Sequence, residues 1–260
     1  MPNFEGKVAV VTGGGRGLGE AICKKLAEYG ATVAVADIDL ESASAVATSL
    51  KDSGSQPYKL DVTSWANAHE VIRQIEADLG EIGVMVSNAG VSHSIPFLDI
   101  DEAEWDRIVD TNLKGLFIML KAVIPGMVNR RYGRVVSIAS ISAKAAYPRF
   151  AHYTASKFGA LGLAQVVAQE VAPFNVTINS VCPGVMNTPM QKSLVQQMLV
   201  SDGGNFANEE DAEAWFTSQL PQGRSQPVEE VAEMVAYLAS DLARSMTAGS
   251  YHVDGGMTPR

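Results

Sequence analysis

Short apolar runs alternate with helix-patterned segments along the whole chain, and this rhythm excludes most architectures before any single residue is weighed. Lys7-Val8-Ala9-Val10-Val11-Thr12 is an apolar run that ends in glycines, and the next segment repeats Leu18, Ile22 and Leu26 at helical spacing before stopping at Gly30. The unit then recurs. Further strands are predicted over 31–37, 58–62, 83–87, 134–140, 176–182 and 250–254, with helices over 40–50, 66–79, 102–127 and 153–171. Val33-Ala34-Val35-Ala36 is apolar at every position rather than every second one, as a strand must be when both faces of its sheet are covered.

Such alternation with mostly short connections predicts a doubly wound parallel sheet with helices on both faces, a Rossmann-like α/β fold. With 260 residues, 47% hydrophobic and 19% charged, the chain suits a single domain over 1–260. The rhythm breaks once. Between Pro189 and Pro227 come Met190, Leu194, Met198 and Leu199, an acidic glycine-containing stretch over 201–213, and then Trp215, Phe216 and Leu220. A connection this long reads as a substrate lid over 189–226, because it follows a strand's carboxyl end and carries apolar residues able to close on a pocket. A solvated acidic turn between two short helices is the plainer alternative.

The turn Thr12-Gly13-Gly14-Gly15-Arg16-Gly17-Leu18-Gly19 lies between the first strand and first helix. Glycines there let backbone approach a pyrophosphate, and the helix N-terminus attracts its charge. Asp37 ends the second strand, where a carboxylate accepts hydrogen bonds from ribose hydroxyls and repels a 2′-phosphate. NAD is therefore expected over NADP, with Ile38 rather than a base following. Arg16 pulls the other way, since a guanidinium in the turn can meet that phosphate, or else a surface acid or the pyrophosphate.

Tyr153 and Lys157 stand four apart on one helical face. A free phenol titrates near about 10, and a neighbouring ammonium favours its ionised form, so the pair is a candidate acid and base. Alone it would equally fit a half-buried ring beside a charge. Other features are mainly exclusions. A net charge of −9 opposes binding a polyanion, so no nucleic-acid partner is expected. No apolar stretch follows a basic flank at the start, and no run of eighteen apolar residues occurs, so neither secretion nor a membrane partner is expected. Cys23 and Cys182 form no disulfide framework, and the cytoplasm is the expected compartment. His69, His152 and His252 show no ligand spacing, and no metal is expected.

Together, Thr12, Gly17 and Gly19 in the turn, Asn88-Ala89-Gly90 after a strand, Ser140, and Tyr153 with Lys157 strongly resemble the short-chain dehydrogenase/reductases, over nearly the whole chain. The resemblance implies that Tyr153 gives or takes the proton and that Lys157 lowers its pKa and holds the nicotinamide ribose. Ser140 would hold the substrate oxygen, and Asn112 would anchor a water in the proton relay. Without the resemblance, Ser140 is a strand-end turn residue and Asn112 a polar residue within or interrupting a helix. By the same carry-over, Asp61 and Val62 flank adenine, Asn88, Ala89 and Gly90 lie beside the ribose and nicotinamide, and the loop with Pro183, Gly184, Met186 and Thr188 binds the carboxamide. Gly13, Arg16, Gly17, Leu18, Gly19, Asp37 and Ile38 complete the cofactor set. Ser87 departs from the family, where many members carry a second asparagine.

Substrate residues are less defined. Ser142, His93, Tyr147, Arg149, Met186 and Met190 adjoin the matched motifs; Arg149 reads as solvated surface charge, and His93 equally as a substrate contact or an exposed loop residue. Their mixture suggests a small secondary alcohol, diol, or cyclic or aryl alcohol, with the matching ketone. The stretch over 253–257 resembles a family strand end used in oligomers, and a homotetramer is expected. Rival readings are an NADP-dependent 3-ketoacyl reductase and a non-catalytic NAD-sensing or scaffold protein; an epimerase or dehydratase leaves too little chain for an added domain.

Overall fold

The computed structural model describes residues 1–50, 53–201, 206 and 208–258. Its core is a seven-stranded sheet, all neighbours parallel, in the order β3-β2-β1-β4-β5-β6-β7. The strands are β1 Val8–Thr12, β2 Thr32–Asp37, β3 Gln56–Lys59, β4 Ile82–Ser87, β5 Gly133–Ile138, β6 Val176–Pro183 and β7 Ser250–Val253. The helices are α1 Gly17–Glu28, α2 Leu40–Ser49, α3 Trp65–Leu79, α4 Glu102–Val109, α5 Gly115–Arg130, α6 Ala151–Val171, α7 Pro189–Ser201, α8 Glu209–Ser218 and α9 Val228–Ala239. This is the doubly wound, Rossmann-like fold that the alternation predicts.

Successive strand residues point to opposite faces, and the two sets seed two cores. Ala9, Val11, Val33 and Val35 pack with Ile22 and Leu26 of α1 and Val235 of α9. Val8, Val10, Ala34 and Ala36 pack with Ile72 and Ile75 of α3 and Met119 and Val123 of α5. Both sets are apolar, which is why these strands do not alternate with polar residues.

Three readings need correction. The third strand is not 58–62 but Gln56–Lys59: after Leu60 the chain turns, because Asp61 Oδ1 accepts from Thr63 N (2.9 Å) and Thr63 Oγ1 (2.7 Å) while Leu60 and Val62 still reach the core. The helix predicted over 102–127 is broken by a π-turn over Asp110–Lys114, which takes the chain from α4 into α5. Taken as one element, Glu102–Arg130 is long and apolar enough to cross a membrane; here its Ile118, Met119, Val123 and Met127 fill the sheet's core instead. Helix α9 was not anticipated, although Val231, Ala232, Val235, Ala236 and Ala239 recur at helical spacing and are all buried. The stretch over 189–226 contains α7 and α8, and the acidic residues Glu209, Glu210 and Asp211 form the first turn of α8; residues 202–205 and 207 lie outside the described residues.

Candidate active site

Strand order reverses between β1 and β4, and in open parallel sheets the carboxyl ends at such a point form a crevice. A cleft of about 1520 Å3 occupies it. One end is built from the glycine turn. Gly13 and Gly17 have φ of +62° and +57°, a region that favours glycine. A Cβ on Gly19 would overlap the Gly13 carbonyl oxygen and stand 2.7 Å from Asn88 Nδ2, so α1 starts flush against the turn. Asp39, Ser64 and Asp101 cap α2, α3 and α4 with their side chains, whereas Arg16 at the head of α1 makes no such bond. The first turn of α1, Gly17, Leu18 and Gly19, thus lines the cleft with its N–H dipoles uncapped, which fits a pyrophosphate.

Asp37 lines the cleft and is nearly buried. Its Oδ2 accepts from Gly15 N and its Oδ1 from Asp39 N, each at 3.0 Å, so the carboxylate is held in one orientation. Hydrogen bonds from Ser42 hold the Asp39 carboxyl below the usual carboxylate range, and the nearby Arg16 guanidinium adds to this. Arg16 therefore has an acidic neighbour at the same end. Ile38, 63% exposed, lines the wall with Asp61 and Val62.

Thr12, at the head of the turn motif, joins two strands. Its Oγ1 accepts from Asn88 N and Ala89 N, both at 3.0 Å, while Asn88 Nδ2 donates to Thr12 O (3.0 Å) and Gly13 O (2.9 Å). The ends of β1 and β4 are thereby clamped together under the cleft. Asn88, Ala89 and Gly90 line it, as do Pro183, Gly184, Met186 and Thr188 beyond β6.

At the other end, Ser140 follows β5, and α6 brings Tyr153 and Lys157 opposite it. Ser140 Oγ accepts from Ser142 N (3.1 Å) and hydrogen-bonds the Tyr153 phenol. Lys157 Nζ donates to Ile138 O at 2.9 Å and lies 5.7 Å from the Tyr153 ring centre. Burial raises the Tyr153 phenol above its ordinary value, with the Ser140 hydrogen bond pulling it back. Burial also lowers Lys157, to about 8. Burial is the largest cause of both shifts, and the ammonium is turned to the Ile138 carbonyl.

The unfolded Lys157 keeps its ordinary value of 10.5, so between about 8 and 10.5 the unfolded chain binds more protons and stability rises with pH. Against Lys157→Met, urea unfolding of the wild type should gain up to about 3 kcal/mol across that window. A flat difference would mean that Lys157 is not buried as an ammonium.

Asn112 sits in the π-turn, a feature that often marks functional sites. Its Oδ1 accepts from Val91 N (2.8 Å), and its Nδ2 donates to Val91 O (2.9 Å) and Ser156 Oγ (3.0 Å). Both amide protons are thus engaged in bracing the β4 loop against α6, and a water held by this residue would have to donate to an oxygen. Asn112 lies behind the wall; Gly90 intervenes, and a Cβ there would meet Asn112 Oδ1 at 3.2 Å and Lys157 Nζ at 3.6 Å.

Of the expected substrate residues, Ser142, Tyr147, Met186 and Met190 line the cleft. His93 does not: its Nδ1 lies 2.8 Å from Glu104 Oε1, because the loop after β4 turns the ring toward α4. Arg149 is no solvated charge; its Nε donates to Ser94 Oγ (3.0 Å) in the cleft wall. Trp215 and Phe216, expected in the cover, do line the cleft, whereas Ser94, Ser156, Gln197 and Arg107 were not anticipated. Ser156, three residues after Tyr153 on the same helix, had a readable signal; the others reach the site only through the fold.

Residues 7–199 match the short chain dehydrogenase family. The chain belongs to that family. Among curated relatives of this short-chain dehydrogenase, the 3-oxoacyl-[acyl-carrier-protein] reductase FabG of Escherichia coli (strain K12) is 36% identical over 255 residues, covering 98% of each chain. The acetoacetyl-CoA reductase of Paracoccus denitrificans is 36% identical over 250 residues, covering 96% of this chain and 97% of its own. The crystal structure of levodione reductase superposes with a TM-score of 0.92 at 29% identity, covering 98% of each chain. The chain is accordingly an oxidoreductase of this family using a nicotinamide cofactor.

Proposed function

We propose that the chain interconverts a secondary alcohol and its ketone with NAD(H). The observation that carries this is the meeting of Ser140, Tyr153 and Lys157 at one end of a cleft whose other end has an uncapped helix N-terminus and an oriented Asp37. The nicotinamide, when bound, accepts or supplies the hydride. Ser140 holds the substrate oxygen, Tyr153 Oη takes or returns its proton, and Lys157 holds the nicotinamide ribose and favours the phenolate once occupancy changes its surroundings. Asn112 braces this end through Val91 and Ser156. Three relatives whose names specify ketone substrates support this substrate class.

The cofactor preference rests on Asp37, whose fixed carboxylate would face a 2′-phosphate with like charge. A second reading, an NADP-dependent 3-ketoacyl reductase, is favoured by the names of the curated relatives and by Arg16 in the turn. Comparing kcat/KM for NADH and NADPH separates the two, using acetoacetyl-CoA and cyclic ketones as substrates. We expect at least about 10-fold preference for NADH, narrowed in Asp37→Asn. Strong NADPH preference would establish the second reading.

The same proposal makes α7 and α8 a cover over the substrate, since Met190, Leu194, Met198, Trp215 and Phe216 line the cleft and Gln197 Oε1 accepts from Ser94 N (3.0 Å). Exposed Phe117 on α5, Phe158 and Val166 on α6, and the open edge of β7 support self-association, with a homotetramer as the assembly. Cys23 and Cys182 are both buried and unbridged, which fits a reducing cytoplasm.

A further inference from the structure

We propose that His93, Glu104 and His152 form a binding site for one divalent transition-metal ion, with Zn2+ as the reference, behind the cleft wall. The three come from the loop after β4, the first turn of α4 and the first turn of α6, and one ligand atom of each lies within 4.8 Å of the others. His93 Nδ1 stands 2.8 Å and His152 Nε2 3.5 Å from Glu104 Oε1. Tetrahedral Zn2+ with bonds of about 2.0–2.1 Å keeps its ligand atoms about 3.3 Å apart, so the His93–Glu104 edge need open by about half an ångström, the His152–Glu104 edge already fits, and the two imidazole nitrogens, within 4.8 Å of each other, would close on the ion.

The second observation is His152 itself. It is fully buried; Nδ1 has no hydrogen-bond partner, and Nε2 makes no contact better than its 3.5 Å approach to the Glu104 carboxylate. Buried polar atoms nearly always have a partner, and an orphan calls for an explanation such as an ion.

Arg107 is the competitor. Its Nε donates to Glu104 Oε2 at 2.8 Å and its Nη2 to Oε1 at 2.7 Å. A metal ion would take Oε1 from Nη2, while the Nε contact to Oε2 remains to orient the carboxylate, as partners behind metal ligands do. Two imidazoles and one carboxylate suit Zn2+ and leave a fourth position for water. Because His152 immediately precedes Tyr153, the ion would pin the start of α6 to α4 and the β4 loop.

The test uses untagged, chelator-stripped protein titrated with Co2+, followed by visible absorption, and with Zn2+, followed by calorimetry and thermal unfolding. The expected result is one ion per chain and a raised Tm. His93→Ala, at a partly exposed position, should weaken uptake at least about 10-fold, and Glu104→Gln likewise; His69→Ala, on the surface of α3, should not change it. Absence of stoichiometric uptake by the wild type, or uptake indifferent to both variants, would make the cluster an ion-pair network only. No cofactor or substrate enters this measurement, so its failure leaves the redox proposal untouched.

Discussion

Tyr153→Phe is expected to lower kcat by about 10²–10⁴-fold, the usual worth of one positioned acid or base, while the affinity for NADH stays within a few-fold of wild type. The phenylalanine keeps the ring volume and the edge contact with Phe150, whose ring centre lies 6.3 Å away. Only the hydroxyl goes. Ser140 keeps its bond from Ser142 N, and its hydroxyl proton, released from the phenol, faces the open cleft, where water can accept it. Steady-state turnover with a ketone, read beside an NADH fluorescence titration and a circular-dichroism spectrum, checks the three claims together. Normal turnover by the folded variant would move the proton transfer to another group.

Gly19→Ala should abolish useful dinucleotide binding, with the Kd for NADH raised at least about 100-fold, the equivalent of about 3 kcal/mol of overpacking. The added methyl would overlap the Gly13 carbonyl oxygen, and that oxygen cannot simply retreat, because Asn88 Nδ2 holds it at 2.9 Å while also donating to Thr12 O. The turn must deform where the pyrophosphate should lie. Gly162→Ala is the control: a Cβ on Gly162 of α6 meets nothing within 4 Å, so binding should be unchanged and the helix slightly firmer. Equal binding by both variants would mean that the turn is not the cradle.

Local chemistry explains which parts were legible in the chain. Strand and helix positions followed from burial on two faces, and the glycine turn from the need for close backbone approach, so the Rossmann-like sheet and the crevice at its switch point could be foreseen. The π-turn could not, because Asn112 gains its place from side-chain bonds to Val91 and Ser156 that lie far away in sequence. Edge strand β3 was misplaced for a related reason: Leu60 and Val62 are apolar because they cap the core after the strand has ended. The electrostatics of Tyr153 and Lys157 were half visible. Their spacing is a property of the helix, whereas the desolvation that dominates both is a property of the assembled pocket. His93, Glu104 and His152 show the same limit, since no spacing along the chain relates three residues from three separate elements.

The central claim concerns where the nicotinamide goes, and a crystal structure of the chain with NAD+ tests it most directly. The pyrophosphate should lie against Gly17, Leu18 and Gly19, a ribose hydroxyl should donate to Asp37, and the nicotinamide ribose should lie within hydrogen-bond distance of Tyr153 and Lys157. Density for the nucleotide that leaves Tyr153 and Lys157 untouched, or that places the adenosine away from Asp37, would contradict the account.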